Sequence, residues 1–358
     1  MPVTHYARRS FAAAVLALAL VACGKSSGPS EFNPQGTSAD MTAAQDAFVS
    51  QQSTSFAAVG PDISAVLNGS PMVASSAALA LTRPSASSAG YARMLASLVP
   101  TGSRGIQATM AAIPSTLLGT TFVWDETNHV YVASDLTGAP AAGVRFLLYA
   151  VDPVTLRPVE PVVEVGYVDI VDQSTATAVD FRVKVVEGSV VYLDYRVSAT
   201  AGTSSGIITI SGFASNGTTQ ANFSLRNTLT QNTSGVVLSL DYNLTVPSRG
   251  LSLDWTATFA NISTTEEAVT LDLAISGPNG DVRIVGTYGA SGGTFTVKVN
   301  GDTFATVALE GSTPVITGAG GQPLTPQEEE SLHTILDYYD QSLSAFTELL
   351  APVSLAAV

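Results

Sequence analysis

Few side chains in this sequence could do chemistry, and their spacing decides most of what they could do. Asp125, Glu126 and His129 lie within one short stretch and supply two carboxylates and an imidazole, a donor set able to hold a small metal ion. They also fall between two short apolar runs, Thr121–Trp124 and Val130–Val132, where residues of these types ordinarily make a hairpin turn. Beyond the first 22 residues the other histidine is His333 and the lone cysteine is Cys23, so no His/Cys cluster of the zinc kind can be assembled. Gly202-Thr203-Ser204-Ser205-Gly206 and Gly289-Ala290-Ser291-Gly292-Gly293 both match the G-x-S-x-G pattern. That pattern activates a serine only on a strained strand-to-helix turn. Both copies sit between strands in Gly/Ser-rich turns, so neither serine is expected to be a nucleophile. The chain has no calcium loop of alternating Asp and Asn and no carboxylate pair in a recognisable context. The expectation is a protein without enzymatic activity, metal or cofactor.

Cys23 has a different context. His5, Arg8 and Arg9 precede an unbroken apolar run from Phe11 to Ala22. As a helix that run spans about 18 Å, short of the roughly 30 Å of a bilayer core, so it reads as an export signal and not as a membrane span. It ends in Leu20-Val21-Ala22-Cys23. These residues resemble the lipobox of bacterial lipoproteins. The resemblance covers the signal region only, and the body resembles no particular family. It implies cleavage before Cys23, acylation of that cysteine and anchorage in the bacterial cell envelope. Gly24, in place of an Asp, implies the outer membrane where a cell has two. Multiple acyl chains on Cys23 would make the anchor durable, where one chain holds only marginally. The membrane is therefore the expected partner, through acylated Cys23, and a protein partner stays unidentified.

Hydrophobic residues make up 46% of the chain and charged ones 12%, with Ser and Thr filling the polar positions. The formal charge is −14. Removal of the first 22 residues takes away Arg8 and Arg9 and no acid, leaving 13 basic against 29 acidic residues, or −16. Such a chain repels phosphate backbones, which excludes nucleic acid as a partner, and it has no basic patch for anionic lipid headgroups.

The elements that must position these residues are mostly strands. From Ser189 to Gly311 apolar and polar residues alternate, as in Val191, Leu193, Tyr195 and Val197 against Tyr192, Asp194, Arg196 and Ser198. Each run thus has one dry and one wet face, the mark of an antiparallel sheet covered on one side. Asn279-Gly280-Asp281 and Asn300-Gly301-Asp302 read as type I′ hairpin turns. About a dozen strands are expected, and a sheet that size must curl, split or close. A membrane barrel is disfavoured by short turns at both ends. Thr325-Pro326-Gln327-Glu328 reads as a capping box opening a helix striped by Leu332, Ile335, Leu336, Tyr339, Leu343, Phe346, Leu349 and Leu350.

The fold class expected is α+β, mainly β: a large curved antiparallel meander packed against short N-terminal helices and a long C-terminal amphipathic helix. The expected organisation is a signal peptide over 1–22, a lipidated flexible tether over 23–39, a helical segment over 40–115, the sheet over 116–318 and the C-terminal helix over 319–358. Two functions follow. One is binding or carrying a lipid or other hydrophobic ligand on the concave sheet face. The other is a structural or adhesive surface role through protein contacts.

Overall fold

The computed structural model describes residues 32–67, 113–175, 177–202, 204–232, 235–260, 268–289, 292–310 and 313–349. Cys23, the Leu20–Cys23 stretch and residues 68–112 of the expected helical segment lie outside them.

Among the described residues the molecule is mainly β, one open sheet of fifteen strands. The first eight are β1 (Thr121–Asp125), β2 (Val130–Ser134), β3 (Gly143–Tyr149), β4 (Glu164–Asp172), β5 (Val179–Glu187), β6 (Val190–Ala201), β7 (Ser205–Ser215) and β8 (Gln220–Asn232). The remainder are β9 (Gly235–Val246), β10 (Leu251–Ala260), β11 (Ala268–Ser276), β12 (Val282–Gly289), β13 (Gly292–Val299), β14 (Asp302–Glu310) and β15 (Thr313–Gly318). From β3 to β15 each strand pairs antiparallel with the next in sequence. The order changes once. β1 lies parallel to β3, with Phe122 opposite Phe146 and their rings stacked at 4.7 Å, and β2 forms the far edge. β2 and β15 are thus the two edges of an open sheet, not the seam of a barrel.

The alternation in the sequence maps onto the two faces. In β10, Leu251, Leu253, Trp255, Ala257 and Phe259 are buried while Asp254, Thr256 and Thr258 are exposed. The same period repeats through the meander, because successive strand side chains point to opposite faces. Helices lie against the dry face. Helix α1 (Pro34–Asp46) is capped by Asn33, whose side chain accepts the Gly36 N–H at 3.0 Å, and Pro34 occupies its first turn. This places the helix start inside the stretch read as tether. The Asn-Pro pair supplies the start signal there, which the Ser/Gly composition around it hides. Helix α2 (Gln51–Leu67) sits over β2 to β6, with Phe56 6.5 Å from Tyr195. Helix α3 (Pro326–Leu349) lies beside α1. Leu332, Ile335, Tyr338 and Leu349 on α3 are buried, and Tyr338 meets Tyr242 of β9 hydroxyl to hydroxyl at 3.2 Å.

Glycines let the strands approach closely. Gly212 of β7 stands between Tyr195 of β6 and Phe223 of β8, whose rings come within 6.5 Å of each other. A Cβ at Gly212 would fall 2.1 Å from the Asp194 carbonyl. Gly286 and Gly293 repeat the arrangement opposite Phe295 and Tyr288. Aromatic rings close over the gap each glycine leaves, which lets the sheet coil locally without exposing backbone. The two Asn-Gly turns differ. Asn300 and Gly301 both have positive φ (50° and 91°), as a type I′ turn requires. At the other site only Gly280 does (115°). The Asn279 side chain there faces α1, donating to Asp40 at 2.6 Å and accepting from Asn33 at 2.9 Å. That contact, and not a local turn preference, sets its geometry.

Candidate functional site

The candidate metal residues diverge. The Asp125 carboxylate accepts the N–H groups of Thr127 and Asn128 and the Asn128 amide, at 2.8, 3.2 and 2.7 Å. These bonds, the Asn128 side chain foremost, hold its pKa below the usual carboxylate range. Glu126 instead accepts the Val162 N–H at 2.9 Å, and His129 Nδ1 lies 3.0 Å from Glu160. All three side chains serve the turn and its neighbouring loop. Among the described residues no group of three or more His, Cys, Asp or Glu is placed to hold a metal ion. His333 is half exposed and 3.9 Å from Glu329, one turn earlier on α3. The first G-x-S-x-G stretch is a hairpin linking β6 to β7, in which the Gly202 N–H bonds the Ser205 carbonyl at 2.7 Å. In the second, Ser291 lies outside the described residues, between β12 and β13.

The structure gathers other residues instead. α2, the β1–β2 turn and the 150–163 loop border a partly open cavity of about 70 Å³. Ser55, Pro61 and Asp62 line it from α2, Trp124, His129 and Tyr131 from the hairpin, and Tyr149 and Arg157 from β3 and the loop. The loop is internally braced. Asp152 accepts the N–H groups of Val154 and Thr155, and backbone bonds tie Asp152 to Arg157 and Val159 to Ala150. Burial pushes the Asp62 carboxyl up to about 6, with the Arg157 charge pulling it back down. The Tyr131 hydroxyl donates to the Leu147 carbonyl at 2.8 Å, and burial raises the pKa of both Tyr131 and Tyr149. Trp124 Nε1 and Ser55 Oγ, both shut off from solvent, have no hydrogen-bond partner. No local motif marks this cavity. Its walls are set by residues up to a hundred positions apart, and Asp62 sits unremarkably beside Pro61 in a weakly patterned helix.

The wet face carries a second feature, an open groove of about 460 Å³ across β8 to β12. Its polar walls are Arg226, Asp241, Asn243, Asp254, Asp272 and Arg283. Arg226 stands opposite Asp241 in register, and Asn243 donates to Asp254 at 2.6 Å. Arg283 grips Asp272 with two bonds, at 2.9 and 2.6 Å. This forked pairing recurs along the same face: Arg145 on Asp169, Arg182 on Asp194 and Arg196 on Asp180. Arg182 and Arg196 face each other directly, and each finds its acid on the diagonal. Two-point contacts fix the planar guanidinium, so the charges are held as a pattern on a rigid surface.

No known protein family, curated protein or solved structure shows significant similarity to the chain.

Proposed function

We propose that this is a lipid-anchored, non-enzymatic protein of the bacterial cell envelope that acts through protein contacts on the wet face of its sheet. The observation that carries the reading is the contrast between the two faces. The dry face is filled by its own side chains and by helices, and the cavity beneath α2 holds about 70 Å³, well below the roughly 300–1,000 Å³ of ordinary ligand pockets. The wet face instead offers an open polar groove and a lattice of oriented charges. The anchor is supported by Leu20-Val21-Ala22-Cys23 behind its charged and apolar leader. The C-terminal helix, with Leu332, Ile335, Tyr338 and Leu349 buried, serves in this reading as a permanent filler of the dry face and not as a lid.

A photo-crosslinker at Thr256, in the groove, tests the contact function in cells that make the full-length protein. The expected result is one discrete crosslinked protein species, lost when Arg226 and Asp254 are both changed to Ala. Crosslinking no stronger than from a probe at Thr127, in the β1–β2 turn, sinks the reading. Carriage of a hydrophobic ligand is the competing function. Native mass spectrometry on a detergent-free fragment beginning before Phe32 separates the two. A lipid-sized adduct would favour carriage, and a bare mass favours contact.

A further inference from the structure

We propose that the outer edge of β2 is a docking site for an extended segment of a protein partner, which adds to the sheet as a further strand. The two edges of the sheet are not equivalent. Antiparallel pairs alternate between hydrogen-bonded and non-hydrogen-bonded. Pro314 has no N–H, so its pairing with Leu309 is of the second kind, and Pro314, Ile316 and Gly318 direct their backbone groups away from β14. Pro314 brings no donor to that edge, and the Gly318 N–H is turned to the Gln322 carbonyl at 3.0 Å. Of these three, Ile316 alone keeps an outward donor. A proline and a folded-back amide are devices that block a sheet edge.

β2 has neither device. Across the parallel β1–β3 pair the Arg145 N–H bonds the Thr120 carbonyl at 3.0 Å, so the backbone groups of Thr121, Val123 and Asp125 face β2. Their register partners Ser134, Val132 and Val130 are engaged with β1, and Tyr131 and Ala133 turn N–H and C=O away from the sheet. Among the described residues nothing bonds these two amides. An extended chain laid along them satisfies both donors and both acceptors at once. The run Val130–Ser134 carries no charge to deter it. Ala133 lies opposite Phe122 on the dry face and is small and exposed, so a large apolar side chain of the added strand has room beside it. The surroundings select the partner's charge. Exposed Glu126 precedes the strand and exposed Asp135 follows it, on a chain of formal charge −14. A segment flanked by basic residues therefore fits, whereas a second copy of this chain is repelled and its β15 edge is blocked.

The probe is a short peptide of alternating threonine and isoleucine with a lysine at each end, added to the full chain. Its control is the same peptide with the backbone nitrogens methylated, which keeps the side chains and removes the donors. Amide exchange at Tyr131 and Ala133, followed by NMR, is expected to be fast in the protein alone and to slow about tenfold or more with the probe. The methylated peptide should leave it fast. Ala133→Pro gives β2 the block that Pro314 gives β15 and removes no β1–β2 bond, so it should abolish the slowing at Tyr131 and keep the melting temperature. Three outcomes overturn the proposal. Amides already slow in dilute protein alone would mean that the chain covers its own edge. Slowing that grows with protein concentration and needs no peptide would mean that a second copy pairs there. Amides that the probe slows no more than the methylated peptide does would mean that the backbone edge recognises nothing. None of these touches the wet-face contact, which lies several strands away and is read by crosslinking at Thr256.

Discussion

Cys23 carries the proposed anchor and Asp62 is a carboxyl whose pKa burial raises, and the chain reveals them differently. Cys23 stands at the end of a charged and apolar leader, so four neighbouring residues are enough to single it out. Cys23→Ser is expected to remove the acyl mass from the mature protein and move it from the membrane to the soluble fraction, as mass spectrometry and fractionation would report. A variant that stays acylated rules the anchor out. Asp62 carries no local mark, since its pKa of about 6 arises from what the fold stacks around it. A carboxyl whose folded pKa lies above its unfolded value of 3.8 binds more protons folded than unfolded between those two values. Its contribution to stability is therefore undiminished below pH 3.8 and declines as pH rises through about 6. Asp62→Asn should flatten that decline in a series of melting temperatures. An unchanged pH profile would show that Asp62 is solvated. Asp125 has the opposite sign. Its bonds to Asn128 and Thr127 depress its pKa, so what it contributes is lost as pH falls below the usual carboxylate range.

At the scale of elements, glycines and caps set the geometry. Gly212→Ala would drive a methyl to within 2.1 Å of the Asp194 carbonyl and 2.5 Å of the Tyr195 Cα, both on a neighbouring strand. The backbone of a hydrogen-bonded neighbouring strand cannot yield cheaply, so the variant should lose about 1–3 kcal/mol in denaturant unfolding. A loss within error would mean the strands there separate easily. Thr325 and Glu328 exchange the two bonds of a capping box, at 2.8 and 3.4 Å, and Thr325→Ala should cost about 1 kcal/mol. The strand alternation and this cap were legible from residue order because each depends on neighbours two or three positions away. The Asn33 cap, equally local, was hidden by the Ser- and Gly-rich stretch around it. Asn279 was misread for another reason. Its side chain answers to Asp40 and Asn33, more than two hundred residues earlier in the chain.

Across the whole molecule, strand order predicts where stability lies. β8 and β9 sit in the middle of the sheet with neighbours on both sides, whereas β2 and β15 each pair along one side only. Amide exchange should be slowest in β7 to β10 and fastest in β2 and β15. Equal protection across all fifteen strands would instead mean that the edges are covered by a partner. The sequence by itself determined the alternation of faces and the sequential antiparallel pairing of most strands, because period-two patterning is written in adjacent residues. Its three shapes for so large a sheet (curled, split or closed) stayed open, because closure depends on whether the first and last strands meet. Only the tertiary structure decided that they do not, that β1 turns back to lie parallel to β3, and that Ser55, Asp62, Trp124 and Arg157 share one cavity. Those outcomes rest on contacts between distant residues, where packing and burial act on shapes that no short stretch of sequence contains.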